Sequence, residues 1–523
     1  MSDGATAGHP ASPARAVRRS PGELALWSVV ATGITISLAA AVSGGRPVAM
    51  LAIFVVPLAL VAFQRWLLAW QTLLALILLV ILFIPIRRYA VGEGELPISL
   101  EPYRVIIALV LACWGAALAV DPRVRWQPTR FGAPIAAIWV AILASLALNV
   151  GRVSAVNEFV IKAVTFFGSY FLLLCFIASV ITQGRQLDRM IRLLVLGGGV
   201  LACFGLYEWR TGFNAFNGLG SVLPFLTYQD IGEHVVRGTG ARALASAQHP
   251  IALGAAFVML IPLSVYLFKR SGRIGWLLVG GLLTLGALAT GSRTAAVMLI
   301  VLLVVFVCLQ RAQTVRMLPY LVVLFVVVQG VMPGTLGTFR VILNPSFVLQ
   351  EQSKAEGTGA GRIADLGPAL AEWTRSPFVG QGFGTRITSE AGFVGGAQIL
   401  DNQWLGTLLE IGAVGVLGLL WLFARAIRRL ARLARAETGA DGWLATGLAA
   451  ALAAYAVGML TFDAFAFIQV TFFAFIMLGF ASLITRDQAT ARPATAGPRP
   501  RRVAAHESAH QPSGEVRWIP DRR

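Results

Sequence analysis

Arg293 lies in the stretch TGSRTA, with an apolar run from Ile274 to Ala289 before it and another from Ala295 to Leu309 after it. A guanidinium at the seam of two apolar runs either snorkels to an interface or binds an anion. Arg237 and Arg242 stand in the Gly-rich stretch RGTGAR, just ahead of the apolar run that begins at Pro250, and Arg362 lies further along, in GRIADLGP. Acid and base candidates follow in DNQWLGTLLEIG. Asp401 and Asn402 stand at the head of an apolar run, and Glu410 comes nine residues after Asp401, about 14 Å further along a helix rising 1.5 Å per residue. Asp401 can cap a helix, act as a base toward a hydroxyl, or do both. Glu410 reads either as a structural ion pair locking two helices or as a substrate contact. His249 precedes Pro250 at a run boundary, where it reads as an interfacial polar residue or as a substrate contact. No His, Cys and carboxylate spacing resembles a zinc site, and Glu93 and Glu95 in VGEGELP fit a solvated loop better than a cation site. No metal and no cofactor are expected.

These residues need a scaffold, and composition supplies one. The chain has 523 residues, a mean hydropathy of +0.74, 57% hydrophobic and 13% charged residues, too much apolar surface for a soluble domain to hide. Apolar stretches of about 17–25 residues match the hydrocarbon thickness of a bilayer. They recur at 24–42, 47–63, 66–84, 103–120, 131–150, 159–181, 190–207, 250–268, 274–290, 293–309, 317–333, 400–424, 443–460 and 464–484. The expected fold class is an all-α polytopic membrane protein of about 14 transmembrane helices. No cleavable signal peptide is apparent. Cys113, Cys175, Cys203 and Cys308 all fall inside apolar runs and read as small buried hydrophobes.

The net charge of +18 is the mark of basic cytoplasmic loops rather than of nucleic-acid binding. Placing both termini in the cytoplasm puts most of the 43 Lys and Arg inside, for example Arg425, Arg428, Arg429, Arg432 and Arg435, as the positive-inside bias requires. Many of the remaining cations fall in two long external loops, 208–249 and 334–399. Long loops translocate regardless of charge, and these place Arg237, Arg242 and Arg362 on the outer side. The expected organisation is a cytoplasmic disordered N-terminus at 1–22, N-terminal transmembrane helices at 23–207, a central region at 208–425 that includes both long loops, C-terminal transmembrane helices at 426–484 and a disordered basic cytoplasmic tail at 485–523.

The second loop is too long for a plain connection. Ile363, Leu366, Leu370 and Trp373 share one helical face in GRIADLGPALAEW, as in an amphipathic helix lying on the membrane surface. It is either a functional element over the bundle or merely a lid or packing element.

The order of motifs carries a resemblance: RGTGARALASAQHPIALG, then TGSRTA opening a span, then a long loop with Arg362 spaced ahead of PAL, Trp373 and SPFVGQGFG, then DNQWLGTLLEIGAVG. Over roughly residues 200–425 the chain resembles the O-antigen ligase and polysaccharide polymerase family of bacterial envelopes. The resemblance implies glycosyl transfer at the outer face of the cytoplasmic membrane, from an undecaprenyl-diphosphate-linked glycan donor to a glycan or lipid-linked acceptor, without metal or nucleotide sugar. It implies membrane lipids and other envelope polysaccharide assembly proteins as partners, and no nucleic acid. Carried onto this chain, Arg293, Arg242 and Asp401 are the catalytic candidates, and Arg237, Arg362, Asn402, His249 and Glu410 the substrate-binding ones. Ligases of this family typically carry His where Asp401 stands, which tilts the reading toward a polymerase of exopolysaccharide, capsule or O-antigen type. The alternatives are a ligase that uses a different acceptor, a flippase for the same lipid-linked glycan, and an assembly scaffold. Transporters gather polar groups near the bilayer midplane, whereas here Lys162 and Glu410 are the notable charged residues inside spans.

Overall fold

The computed structural model describes residues 69–91, 101–222, 226–228, 236–237, 240–331, 366–389, 392–394 and 400–490. The expected spans at 24–42 and 47–63, Glu93, Glu95, Arg362 and both chain ends lie outside them. The helices are α1 (Trp70–Phe83), α2 (Pro102–Val120), α3 (Gly132–Leu148), the short α4 (Val150–Ala155), α5 (Asn157–Val180), α6 (Gly184–Thr211), the one-turn α7 (Leu219–Val222), α8 (Pro250–Ser271), α9 (Gly275–Ala289), α10 (Arg293–Arg316), α11 (Leu318–Val331), α12 (Leu366–Trp373), α13 (Gln403–Ala436), α14 (Ala440–Gly458) and α15 (Ile468–Thr490). Among the described residues, eight helices are long and apolar enough to cross a membrane: α2, α5, α6, α8, α10, α13, α14 and the Ile468–Arg486 part of α15. Helices α1, α3, α9 and α11 are apolar but shorter. The chain is a multi-pass helical membrane protein, as composition required.

The strands are minor. Tyr89–Val91 pairs antiparallel with Leu226–Tyr228, Val236–Arg237 with Gly240–Ala241, and Ile387–Ser389 with Gly392–Val394. All three ribbons belong to the connections at one end of the bundle.

Helices α8, α14 and α15 form the centre, with Phe257, Leu448, Tyr455, Phe472 and Phe475 almost fully buried. Around them α10 and α11 turn Leu303, Val304, Val322 and Phe325 outward, the apolar exterior that lipid requires. Small residues in AAALAAYAVG let α14 approach its neighbours closely; a β-carbon on Gly447 would lie 3.1 Å from the Pro262 carbonyl of α8. At the opposite end from the ribbons, Arg270 pairs with Asp188 at 2.7 Å, and the Tyr266 hydroxyl donates to the same carboxylate.

Two expected elements differ in detail. The helix expected across 400–424 runs to Ala436 and is broken at Gly412, whose φ of 67° and ψ of −171° are not helical. The amphipathic helix of the second loop covers Leu366–Trp373. Its Ala369 is buried with Leu405 and Leu409, and Trp373 packs beside them, whereas Leu366 and Leu370 are exposed. The helix therefore docks on the first turns of α13 through Ala369 and Trp373, because the small Ala369 is the side chain that permits close approach.

Candidate functional site

Helices α8, α10, α13 and α15 all begin at the end of the bundle that carries the ribbons, and their first turns are tied together by the loop 459–467. Thr461 shares a 2.8 Å hydroxyl contact with Thr294 in the first turn of α10. The Gln403 backbone N–H at the start of α13 donates to the carbonyls of Met459 (2.8 Å) and Phe462 (3.2 Å), and the Phe465 N–H donates back to Gln403 Oε1 at 2.7 Å. The His249 ring stacks on Phe467, ring centres 5.2 Å apart, and Gln248 donates to the Ala466 carbonyl at 2.7 Å. Four helix N-termini thus surround one loop. Each presents N–H groups without partners in its own helix and the positive end of a dipole, an arrangement that favours an anion.

The cationic part of the site is built on the turn between α9 and α10. Gly291 takes φ 57°, a left-handed conformation that glycine adopts freely, and Ser292 caps α10 by accepting the Ala295 N–H. Arg293 follows as the first helical residue. Arg242 is fastened to the same turn. Its Nε donates to the Thr290 carbonyl at 2.8 Å, and the next N–H, Ala243, donates to the Ala289 carbonyl at 3.2 Å. Arg242 and Arg293 thus flank one three-residue turn although 51 positions separate them in the chain. Arg237 enters the Val236–Arg237 strand, whose pairing with Gly240–Ala241 leads directly into Arg242.

Two buried charges that sequence reasoning passed over hold this loop in place. Arg88, 1% exposed, donates to the carbonyls of Ala245 and Ala247 and to Asn217. Burial pulls its pKa below the usual arginine value, and Glu208 opposes that shift. The Glu208 carboxylate accepts from the N–H groups of Leu244 (2.9 Å) and Ala245 (2.6 Å) and from Asn214 (2.8 Å). Ala245, held from both sides, sits at φ 43°.

At the mouth of α13 the cap is Asn402, whose side chain accepts the Leu405 N–H at 3.2 Å, and not Asp401. Asp401 lies one residue outside the helix, half-buried, and interacts electrostatically with a second carboxylate, Asp463 of the 459–467 loop. Asp463 accepts the Ala466 N–H at 3.2 Å. Burial pushes the Asp463 carboxyl up to about 6, with Asp401 acting in the same direction and the Ala466 N–H and Arg87 opposing. Sequence reasoning passed over Asp463, although a lone carboxylate in the apolar, aromatic run TFDAFAF is a signal that could have found it. His249 is itself a helix cap, its Nδ1 accepting the Ile251 N–H at 3.1 Å, which gives it a structural duty at the site.

Glu410 stands two residues before the break in α13. The second long loop is threaded into that break. Gln381 and Gly382 donate their N–H groups to the carbonyls of Leu409 (2.9 Å) and Glu410 (3.2 Å), and Ala413 and Val414 donate to the carbonyls of Pro377 (2.9 Å) and Phe378 (3.3 Å). Ser145 adds a 2.6 Å bond to the Glu410 carbonyl. Two carbonyls before the break and two N–H groups after it therefore find partners in the loop, as low-dielectric surroundings favour. The charged groups around the Glu410 carboxyl are Asp463, Arg386 and Arg152. Arg386 is paired with Glu372 of α12, and Arg152 donates to Gln381 at 2.6 Å.

Of the residues singled out from sequence, Asn402 and His249 stand at helix starts held by the 459–467 loop. Asp401 and Glu410 both act on its Asp463, Glu410 from the near side of the α13 break. Arg293 adjoins Thr294, which contacts Thr461, and Arg242, into which the Arg237 strand leads, is fastened to the turn before Arg293. Among the described residues, no group of three or more His, Cys, Asp and Glu has the geometry to hold a metal ion.

Residues 276–420 match the family described as O-antigen ligase. The match opens in α9 and ends in α13, and it contains Arg293, Asp401, Asn402 and Glu410. It bears out the resemblance carried by the ordered motifs, over a shorter stretch than the motifs themselves span. No curated protein matches the chain.

Proposed function

We propose that this O-antigen ligase-like membrane protein transfers glycan from a polyprenyl diphosphate, undecaprenyl diphosphate in bacteria, to an acceptor hydroxyl at the outer face of the cytoplasmic membrane, as a polymerase of exopolysaccharide, capsule or O-antigen type. The observation that carries this reading is the fastening of Arg242 to the turn that opens into Arg293, which supports two cations acting on one anion at a helix N-terminus. The departing diphosphate gains charge in the transition state, and preorganised guanidiniums at a water-poor rim stabilise it. Arginine suits the task because it stays charged and binds phosphate oxygens in a bidentate manner.

In the reaction so read, the acceptor oxygen forms a bond to the anomeric carbon while the bond from that carbon to the diphosphate breaks. The hydroxyl proton passes to a carboxylate, Asp463 or Asp401, and the bonding pair leaves with the polyprenyl diphosphate. A carboxyl poised near 6 is a fitting base at neutral pH. The placing of Arg242, Arg293, Asp401 and Asp463 at helix starts at one end of the bundle, rather than along its middle, favours surface chemistry over transport.

Incubating the purified protein with lipid-linked oligosaccharide alone tests the reading. Longer lipid-linked chains are expected. Transfer only after a second acceptor is added assigns a ligase instead, and movement of the substrate across vesicles without new glycosidic bonds assigns a flippase.

A further inference from the structure

Glycosyl transfer between two membrane-borne molecules needs a place for each of them, and Arg242 and Arg293 account for one. A second group of cations lies on the N-terminal helices at the same end of the bundle. Arg104 in the first turn of α2 sits with its guanidinium 4.1 Å above the centre of the Phe166 ring on α5. Lys162 is four residues before Phe166 and shares that helix face; it is exposed and interacts electrostatically with Arg104, Arg87 and Glu101. Arg87, also exposed, has φ 65°, a left-handed backbone that a non-glycine residue adopts at an energetic cost and that concentrates at functional positions.

This strain is built in from both sides. The Arg87 N–H donates to Glu101 Oε2 at 3.0 Å, and the neighbouring Arg88 and Tyr89 side chains are buried. The remaining Glu101 oxygen, Oε1, is taken by Arg104 at 2.9 Å. Glu101 therefore holds two of the cations in position while its own charge is shared. Three cations, two of them exposed, outnumber the one carboxylate that orders them. The group adjoins the site already described. Arg87 acts on Asp463, and Phe167, next to Phe166, packs edge-on against Phe465 of the 459–467 loop, ring centres 5.2 Å apart.

We infer that Arg87, Arg104 and Lys162 form a second anion-binding subsite, for the phosphate of a phosphorylated, membrane-anchored acceptor, so that Asp463 lies between two phosphate-binding rims. This rests on the glycosyl-transfer reading for its role, but the binding itself can be measured without turnover. The ligand chemistry is a phosphoryl group, which a polyprenyl diphosphate or a free phosphate can supply.

The test is equilibrium binding of farnesyl diphosphate to the full-length protein in detergent, with inorganic pyrophosphate as competitor. Two equivalents are expected to bind. Lys162→Ala and Arg87→Asn, the latter chosen because asparagine tolerates a left-handed backbone, are each expected to weaken one equivalent about tenfold and leave the other unchanged. Arg293→Lys is expected to weaken the other equivalent instead. Displacement by pyrophosphate at equal concentration assigns the subsite to free phosphate groups and overturns the membrane-anchored ligand. A single equivalent, or unchanged binding in both Lys162→Ala and Arg87→Asn, overturns the subsite. In turnover, the same two variants are expected to raise KM about tenfold for a phosphorylated acceptor but not for a neutral glycan acceptor, with the donor KM unmoved. Two bound equivalents with no glycan transfer would overturn the catalytic reading and leave the subsite standing.

Discussion

Gly412 lies so close to Phe378 that a β-carbon added to it would fall 2.2 Å from the Phe378 carbonyl oxygen. The contact is reciprocal, since a β-carbon on Gly380 would fall 2.4 Å from the Glu410 carbonyl. The break in α13 and the loop that fills it are therefore one joint with no room for a methyl group on either side.

Gly412→Ala is expected to lower the stability of the protein by at least about 2 kcal/mol, through its left-handed backbone together with the clash. Gly115→Ala in α2, where nothing lies within 4 Å of the added carbon, should be neutral or mildly stabilising. Thermal unfolding in detergent distinguishes them; equal midpoints would contradict the joint.

Arg242→Lys keeps the charge but loses the Nε donor to Thr290. We expect kcat/KM for glycan transfer to fall about 10- to 100-fold, or about 1.4–2.8 kcal/mol of transition-state stabilisation. Membrane insertion and yield should not change. Full activity in the lysine variant would show that charge alone suffices.

Asp463, with its carboxyl raised to about 6, sets the expected pH dependence. Below that value it is protonated and cannot accept the hydroxyl proton, so the rate should rise as pH passes through about 6 and level off above. In Asp463→Asn this limb should vanish, with the rate reduced about 10²- to 10⁴-fold. The sign for stability is opposite. A carboxyl whose folded pKa lies above its unfolded value near 3.8 binds its proton more readily when folded. Its stabilising contribution is present below about pH 4 and is lost as pH rises through 6. The variant should therefore unfold at a higher temperature than the parent at pH 8 while being slower. A limb that persists in the variant would transfer the role to Asp401.

Ala245 sits at φ 43° because Arg88 holds its carbonyl and Glu208 its N–H. Ala245→Gly is expected to relieve strain and raise the unfolding midpoint slightly, by about 0.5–1 kcal/mol in stability. Arg88→Ala should lower stability by about 3–5 kcal/mol by leaving Glu208 buried without its counter-charge. The reverse order in a thermal scan would contradict the clamp.

The spans were legible because apolar length is a direct physical requirement of the bilayer. Helices α2, α5, α8, α9 and α14 begin and end within a few residues of the apolar runs that announce them. Arg242, Arg293 and Asp401 were legible because charge beside apolar runs is rare enough to notice. The joint at Gly412 was not, since a glycine within GAVGVLG serves equally well as a packing residue in an unbroken helix. Asp463 stood out only as a lone carboxylate among aromatic neighbours, and Arg88 and Glu208 could be linked only by the fold, being 120 positions apart. The expected cap at Asp401 moved by one residue to Asn402, a distinction that depends on the φ and ψ of a single bond pair and leaves no trace in residue type.

The splice of the 376–382 segment into α13 also bears on biogenesis. An uninterrupted helix can partition into lipid as soon as it is synthesised, because its amides are satisfied internally. In its broken form α13 cannot, since the amides around Gly412 take their partners from the 376–382 segment. The break and the docking of that segment are therefore one event: until the segment is in place, α13 satisfies its amides only as an unbroken helix, and the loop shapes its successor as it docks.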